Sequence, residues 1–92
     1  MAFELRYARE AVQQLKELRP FERAAIVDQI EKVLGVNPEL EGKSKVKRLR
    51  QPAPCQYRFR FGDFRIYYDV EHEVVSIIQI LSKEASIAYL GR

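Results

Sequence analysis

Arginine occupies every second position of one aromatic stretch near the middle of the chain. Within residues 57–61, Arg58 and Arg60 separate three aromatic side chains, and Arg65 follows a Gly-Asp pair. An alternation with a period of two is typical of a β-strand, so these arginines would share one face of a sheet. Guanidinium groups bind phosphate through paired hydrogen bonds. The pattern therefore predicts a phosphate-binding face.

The Gly62-Asp63 pair predicts a β-hairpin, because glycine at the first central position suits a two-residue type II′ turn. That turn sets Arg60 directly opposite Arg65. Like charges in opposed positions destabilise a sheet by up to about 1 kcal/mol, so folding alone would not favour the pair. A bound phosphate would turn the repulsion into a bidentate contact. The alternatives are neutralisation by Asp69 or a C-terminal glutamate, and side chains that diverge into water.

Tyrosines are the other candidates for proton transfer. Tyr67 is expected opposite Arg58, and Tyr89 lies in the C-terminal segment. A tyrosine with a pKa near ~10 needs cationic neighbours to work at neutral pH, and the arginines supply them. The alternative for either tyrosine is an amphipathic residue at the edge of the core. The single histidine, His72, is expected in an exposed turn, and the single cysteine, Cys55, as a buried thiol.

The composition excludes several kinds of site. One histidine and one cysteine are too few for a histidine-based metal site, a cysteine-rich zinc site or a disulfide framework, and they disfavour a Ser-His triad. We therefore predict no metal and no cofactor. No apolar run approaches the ~20 residues of a transmembrane helix, and the N-terminal residues lack the apolar region of a secretory signal. These observations predict a cytoplasmic protein without membrane contact.

The basic residues are concentrated in one block. The chain has 92 residues with 16 basic and 13 acidic side chains, but residues 43–65 contain eight basic residues and one acidic residue. Residues 1–42 contain six basic and eight acidic side chains. A block with a net charge of +7 predicts a site for a polyanion, either nucleic acid or an acidic partner. The alternative is a solvated, lysine-rich loop.

Two helices are predicted in the N-terminal half. Apolar residues alternate over residues 3–7, which indicates a first strand, and then recur at helical spacing up to Arg19-Pro20. A second helix starts at Pro20 and ends at Gly35, a residue that suits the position after a helix C-terminus. Because hardly any loop separates the helices, they should form an antiparallel hairpin.

Strands dominate the C-terminal half. A short strand over residues 46–50 precedes the arginine hairpin, and the nearly continuous apolar run of residues 73–81 predicts a central strand buried on both faces. Residues 84–90 could form a short C-terminal helix. This order predicts an α+β fold in a single domain, residues 1–92: a helical hairpin packed on one face of a twisted antiparallel sheet. The residues expected beneath the helices are Tyr57, Phe59, Phe61, Phe64, Ile66 and Tyr68.

These elements together resemble the RelE/ParE toxin superfamily of type II toxin–antitoxin systems. The specific part is the hairpin sequence Tyr57-Arg-Phe-Arg-Phe-Gly-Asp-Phe-Arg-Ile-Tyr-Tyr-Asp-Val70, which follows a strand reading Lys45-Val-Lys-Arg-Leu49. The helical hairpin, the chain length and the last strand followed by Ser82-Lys83 also match. The resemblance covers essentially the whole chain, although the N-terminal helices are generic.

The resemblance to RelE implies a ribosome-dependent endoribonuclease that cuts mRNA and inhibits translation. In that reading Arg58, Arg60 and Arg65 stabilise charge at the phosphate that a ribose 2′-OH attacks. Tyr89 matches a C-terminal tyrosine, and a tyrosinate or another base takes the proton. Further basic residues would bind RNA or the ribosome: Lys43, Lys45, Lys47, Arg48, Arg50 and Lys83. The expected partner is an acidic antitoxin that wraps the toxin in a hetero-oligomer.

One departure from the RelE pattern bears on activity. RelE-like nucleases carry a cation just after the last strand, and Glu84 stands there in this chain, with Lys83 as a partial substitute. ParE-like members of the superfamily share the fold and inhibit DNA gyrase without nuclease chemistry. The sequence therefore leaves three functions open: the nuclease, the gyrase inhibitor and a catalytically inert binding module.

Overall fold

The computed structural model describes residues 2–42 and 45–91, which form three α-helices and five strands. The elements are β1 (Glu4–Tyr7), α1 (Arg9–Lys16), α2 (Pro20–Gln29), β2 (Val46–Arg48), β3 (Tyr57–Phe61), β4 (Phe64–Glu71), β5 (Val74–Ser82) and α3 (Lys83–Tyr89). The strands form one sheet in the order β1-β5-β4-β3-β2. This arrangement confirms the predicted α+β class.

The sheet is mixed, which corrects the expectation that it is antiparallel throughout. β1 pairs with β5 in parallel, with Glu4 beside Val74 and Tyr7 beside Ile77. The remaining neighbours, β2–β3, β3–β4 and β4–β5, are antiparallel as expected. The parallel pair joins strands from opposite ends of the chain, so no turn sequence between them signals the pairing.

α1 and α2 form the expected helical hairpin on one face of the sheet, here called the helix face. Arg23 of α2 ties the two helices together, because its Nε donates to the Leu15 carbonyl at 2.8 Å and its Nη2 to the Leu18 carbonyl at 3.0 Å. Carbonyls at a helix C-terminus lack partners within the helix, and Arg23 supplies them. The helices contribute five buried residues to the core: Ala11, Leu15, Ile26, Ile30 and Leu34.

The end of α2 differs from the sequence-based expectation. The helix passes into a π-helical turn, Ile30–Leu34, in which the N–H of Gly35 donates to the Ile30 carbonyl at 3.0 Å. Gly35 follows this turn, but its φ of −74° is not the left-handed conformation that glycine often adopts after a helix C-terminus. Glycine fits there for another reason: a Cβ would lie 2.5 Å from the carbonyl oxygen of Glu31.

The β3–β4 hairpin has the predicted register. Arg60 pairs with Arg65 and Phe59 with Ile66, and Gly62 has the positive φ, +57°, that the first position of a type II′ turn requires. Phe59 and Ile66 are 2% and 0% exposed in the core beneath the helices. Because successive side chains point to opposite faces, the arginines lie on the other face of the sheet.

β5 lies between β1 and β4, as the apolar run predicted. Burial on both faces was only partly correct, because Val75, Ile77 and Ile80 are buried whereas the residues between them are half-buried. The pairing of β5 with β4 skips Ile78, which makes a β-bulge and disturbs the regular ladder. The side chain of Gln14 in α1 supplies hydrogen bonds to β5 at this bulge. Its Oε1 accepts the backbone N–H of Ile80, and its Nε2 donates to Oε1 of Gln79 at 2.6 Å.

The remaining elements agree with the sequence apart from their ends. β2 stops at Arg48, two residues earlier than expected. His72 is exposed in the β4–β5 turn with a φ of +58°, which confirms it as a turn residue. α3 begins one residue early, where the Ser82 hydroxyl accepts the N–H of Ala85 at 3.1 Å. Within residues 2–42 and 45–91, none of the helices has the length and apolar character needed to cross a membrane.

Candidate functional site

The second face of the sheet gathers three guanidinium groups on two adjacent strands. We call it the arginine face and define it by Arg58 and Arg60 of β3 and Arg65 of β4. Arg60 lies directly opposite Arg65 in the hairpin. Burial lowers the pKa of Arg65, and the positive charges of Arg58 and Arg60 lower it further. The three side chains are therefore close enough to repel one another.

The charges on the arginine face are not neutralised by carboxylates. Within the described residues, none of the three guanidinium groups forms an ion pair. Asp69, which we considered as a neutralising group, instead accepts the backbone N–H of Gln56 at 2.7 Å. Arg65 turns back onto the hairpin turn, where its Nη1 donates to the carbonyls of Gly62 at 3.0 Å and Phe64 at 2.9 Å. These bonds orient one arginine, and Asp63 in the hairpin turn compensates only part of the positive charge, because the pKa of Arg65 remains lowered.

Two buried polar atoms on this face lack a hydrogen-bond partner among the described residues. They are Nε of Arg58 and the hydroxyl oxygen of Tyr67. The two residues are partners across the β3–β4 ladder, so the unpaired atoms belong to neighbouring positions. A buried polar group without a partner costs about 1–3 kcal/mol, and an anion that accepted from both groups would relieve that cost.

α3 packs on the arginine face and covers Tyr67. The ring of Tyr89 in α3 lies against that of Tyr67, with centroids 4.9 Å apart and planes inclined by 57°, and Tyr67 is fully buried. The Cys55 thiol helps to raise the pKa of Tyr89, and its Sγ donates to the Tyr57 carbonyl at 3.5 Å. The predicted buried thiol is confirmed, since Cys55 is 4% exposed. Tyr89 thus lies beside the arginine face in a partly enclosed position.

The electrostatic setting of Tyr89 is opposite to the one that the sequence suggested. Burial, with further contributions from Cys55 and Asp69, raises the pKa of Tyr89 to about 12, whereas we expected neighbouring arginines to lower it. The reason is that α3 places the hydroxyl against the thiol and the apolar sheet. A tyrosine with this pKa is protonated at neutral pH, so it can donate a proton but is a poor general base.

The predicted RNA-binding residues fall into two groups. Lys47 lies opposite Arg58 across β2 and β3, which extends the arginine face toward the sheet edge. The backbone N–H of Lys83 donates to the carbonyl of Asp63 at 2.9 Å, which places this exposed lysine beside the hairpin turn. Lys45 is exposed with a φ of +65° next to β2. Lys43 lies outside the described residues.

Arg48 is separated from this group. It pairs with Tyr57, whose buried ring is in the core, and its Nη1 donates to the Tyr57 hydroxyl at 2.8 Å. Its guanidinium carbon is 5.2 Å from the centroid of the same ring, and the Tyr57 hydroxyl donates to Oε2 of Glu39 at 3.3 Å. Strand alternation therefore gives Arg48 a structural contact in place of a position on the arginine face.

A groove of about 680 Å³ adjoins the arginine face at the β2 edge. Its wall includes Arg58 and Lys47, and Arg50 lies at its rim together with the segment that follows β2. The sequence analysis assigned these cations to a polyanion but did not foresee the groove. Leu90, at the end of α3, and the proline-containing segment of residues 52–54 both line it, and nothing local in the sequence indicates that these segments lie near each other.

No site for a metal ion is indicated in the part of the chain that the structure describes. No three histidine, cysteine, aspartate or glutamate residues come together within residues 2–42 and 45–91. The polar chemistry of the site consists of guanidinium, ammonium and phenol groups.

Sequence comparison identifies the family. A family model described as the ParE toxin of the type II toxin–antitoxin system parDE matches residues 5–86, which includes the whole arginine hairpin. The chain belongs to this family. It is a toxin of the RelE/ParE superfamily of type II toxin–antitoxin systems, as the sequence resemblance implied. None of the curated proteins matches the chain significantly in sequence.

Solved structures of the superfamily share the fold of this toxin. The RelB–RelE antitoxin–toxin complex from Methanococcus jannaschii is 23% identical, with a TM-score of 0.70 over 91% of this chain and 96% of that one. A double mutant of Escherichia coli RelE in the free state is 22% identical, with a TM-score of 0.71 and coverage of 97% and 92%. The YoeB dimer from Staphylococcus aureus is 18% identical, with a TM-score of 0.67 and coverage of 86% and 94%.

Proposed function

We propose that this toxin is a RelE-like, ribosome-dependent mRNA endonuclease whose charge-stabilising groups are Arg58, Arg60 and Arg65. The observation that carries the proposal is the arginine face itself: three guanidinium groups without ion pairs among the described residues, beside an unpartnered Nε of Arg58. Such a preorganised positive surface fits a phosphate that gains negative charge in a transition state.

The reaction we propose begins with a ribose 2′-oxygen that attacks the adjacent phosphorus. The bond to the 5′-oxygen of the next nucleotide breaks, which leaves a cyclic phosphate and a 5′-hydroxyl. The opposed pair Arg60 and Arg65 would hold the phosphate oxygens, and Arg58 would compensate the charge that develops on them. Loss of one such donor typically costs 10²–10³-fold in rate.

Proton transfer follows from the state of Tyr89. With a pKa of about 12, Tyr89 keeps its proton at neutral pH and can give it to the departing 5′-oxygen. We propose that the base that removes the 2′-OH proton then comes from solvent or from the ribosome. This requirement gives a physical reason for an enzyme of this kind to depend on the ribosome. Glu84 lies in the first turn of α3, beside the position of Lys83, and would reduce the positive potential there.

A second candidate function is inhibition of DNA gyrase. The specific observation that favours it is the description of the matching family as the ParE toxin. In that case the arginine face would bind its target without cleaving it, and a catalytically inert binding module is the limiting version of the same idea. The protonated Tyr89 is compatible with all three functions.

The proposed partner is an acidic antitoxin. Support comes from the net positive charge of residues 43–65 and from solved relatives such as the archaeal RelB–RelE complex, which contains toxin and antitoxin together. A cytoplasmic location suits both proposed targets. Co-expression with the small acidic protein encoded by a neighbouring reading frame should yield a complex that survives size-exclusion chromatography.

One experiment separates the target classes. After brief induction of the toxin, primer extension on mRNA is carried out with and without translating ribosomes, and plasmid DNA from the same cells is assayed for gyrase-linked breaks. Cuts that require translation support the nuclease. Intact mRNA together with DNA breaks would contradict the nuclease and support gyrase inhibition. The absence of both signals would support a catalytically inert binding module.

A further inference from the structure

The groove beside the arginine face has features of a ligand site that the proposed cleavage chemistry does not use. It lies between β2, the segment of residues 52–54 and Leu90 at the end of α3. Its volume of about 680 Å³ falls in the range of small-molecule sites. Its lining combines apolar side chains, including Leu49 and Leu90, with the cationic side chains of Lys47 and Arg50.

Arg58 links this groove to the arginine face. Its side chain lines the groove, and its charge also lowers the pKa of Arg65. Arg58 and Arg60 are separated by two positions on one strand, or about 6.7 Å along it. That distance is comparable to the separation of neighbouring phosphates in an extended single strand of nucleic acid. A chain with regularly spaced anions could therefore contact both places at once.

We propose that the groove is a nucleotide subsite that holds the RNA strand next to the phosphate on Arg60 and Arg65. The neighbouring phosphate would be bound by Lys47 and Arg50, and Arg58, whose buried Nε lacks a partner within the described residues, would contact both phosphates. The base of that nucleotide would lie on the apolar part of the groove. The inference rests on the proposed function in that it takes RNA as the occupant.

Charge complementarity favours RNA over an apolar occupant. Four of the ten residues around the groove are basic, one of them Arg48, which is engaged with Tyr57, and Glu41 is the acidic one. Glu41 is also engaged, because its Oε1 accepts the backbone N–H of Arg48 at 3.0 Å. Guanidinium planes and flat apolar surfaces are both suitable contacts for an unstacked base. An acidic peptide shares the charge but lacks the base, and this difference can be tested.

The test measures binding without cleavage. Fluorescent 2′-O-methyl RNA oligonucleotides lack the attacking hydroxyl, and their affinity for the intact toxin is measured by anisotropy at several salt concentrations. A dinucleotide reaches only the Arg60–Arg65 pair, whereas a tetranucleotide also enters the groove. Ala53→Phe fills the groove, and Ala24→Phe places the same ring on the exposed side of α2 as the matched control.

The expected result is a selective loss. Ala53→Phe should lower tetranucleotide affinity roughly 10-fold and leave dinucleotide affinity unchanged, and Ala24→Phe should change neither. Lys47→Ala should reduce the magnitude of the slope of log K against log salt concentration by about 0.7 for the tetranucleotide, and should leave the slope for the dinucleotide unchanged. Wild-type and variant melting temperatures confirm that each variant is folded.

Two outcomes would overturn the inference. In the first, Ala53→Phe leaves tetranucleotide binding at the wild-type level. In the second, an oligoglutamate peptide of matched charge binds as tightly as the tetranucleotide and is displaced by the same variant, which would make the groove a peptide site. Cleavage on ribosomes is scored separately. A toxin that binds the tetranucleotide as expected but cuts no mRNA would disprove the nuclease and leave the subsite standing.

Discussion

Arg60 and Arg65 face each other directly across the β3–β4 hairpin, and no carboxylate among the described residues pairs with either of them. Two like charges in this position cost stability, so the arrangement is unfavourable for the free toxin. A phosphate bound between them would replace the repulsion of the two guanidinium groups with attraction of both groups to the anion. The same pair of arginines therefore lowers the stability of the free toxin and provides the proposed phosphate-binding groups.

Substitution of this pair should lower activity without unfolding the toxin. Arg60→Ala and Arg65→Ala are each expected to lower ribosome-dependent mRNA cleavage by about 10²–10³-fold. Arg65→Lys should restore only part of the loss, because an ammonium group cannot make the bidentate contact. Cleavage is measured by primer extension with purified toxin and translating ribosomes. Full cleavage by a folded Arg60→Ala, Arg65→Ala double variant would disprove the catalytic role.

Thermal melts of the same variants should distinguish the two arginines. Arg60→Ala relieves the repulsion and should leave the free energy of unfolding unchanged or raise it by a few tenths of a kcal/mol. Arg65→Ala also removes two hydrogen bonds to the turn carbonyls of Gly62 and Phe64, so it should be less stable than Arg60→Ala. The reverse order of melting temperatures would contradict this assignment.

Tyr67 should behave unlike an ordinary buried tyrosine. Its hydroxyl is buried without a partner among the described residues, so Tyr67→Phe should keep or raise the melting temperature. Tyr57→Phe is the matched control, because it removes hydroxyl contacts to Arg48 and Glu39 and should destabilise the toxin by about 1 kcal/mol. If the Tyr67 hydroxyl donates a hydrogen bond to the substrate, Tyr67→Phe should also lower the rate of cleavage. A stable variant with full activity would limit Tyr67 to packing.

Alkaline pH should weaken the fold through Cys55. Burial raises the pKa of this thiol to about 11 in the folded toxin, from 9 for an exposed cysteine. The thiol keeps its proton longer in the folded state, so its contribution to stability is complete below about pH 9. That contribution is lost as the pH rises through the folded pKa.

Urea unfolding at pH 8 and pH 10, in the presence of a reductant, tests this effect. The wild-type toxin should lose more stability between the two values than Cys55→Ala, in which the titrating thiol is absent. Tyr89 adds a similar loss only at higher pH, because its pKa rises from 10 to about 12. Equal losses in the wild type and Cys55→Ala would show that the thiol titrates normally.

Gln14 should contribute more to the stability of the fold than a glutamine on a protein surface usually does. Its side chain satisfies the Ile80 N–H and the Gln79 amide at the β5 bulge. Gln14→Ala would leave these groups unpaired inside the sheet, at a cost of about 1–3 kcal/mol in the free energy of unfolding. Gln13→Ala is the matched control on the exposed side of the same helix and should change stability by less than about 0.5 kcal/mol. Equal unfolding midpoints for the two variants would contradict the role of Gln14.

The sequence by itself determined the arginine hairpin. The period of two, the Gly62-Asp63 turn and the aromatic positions are local signals, and local signals fix both the register and the face of each side chain. The opposition of Arg60 and Arg65 was therefore predictable residue by residue. The central position of β5 was predictable for a related reason, because a nearly continuous apolar run is typical of a strand inside a sheet, although one face of β5 is only half-buried.

Only the tertiary structure decided what surrounds the arginines. The parallel pairing of β1 with β5 and the packing of α3 on the arginine face join segments that are distant in sequence, and no periodicity encodes those contacts. The packing of α3 buries Tyr67 and raises the pKa of Tyr89, which reverses the protonation state that the arginines alone suggested. A pKa depends on desolvation and on neighbours in three dimensions, so the chemistry of Tyr89 became visible only in the folded chain.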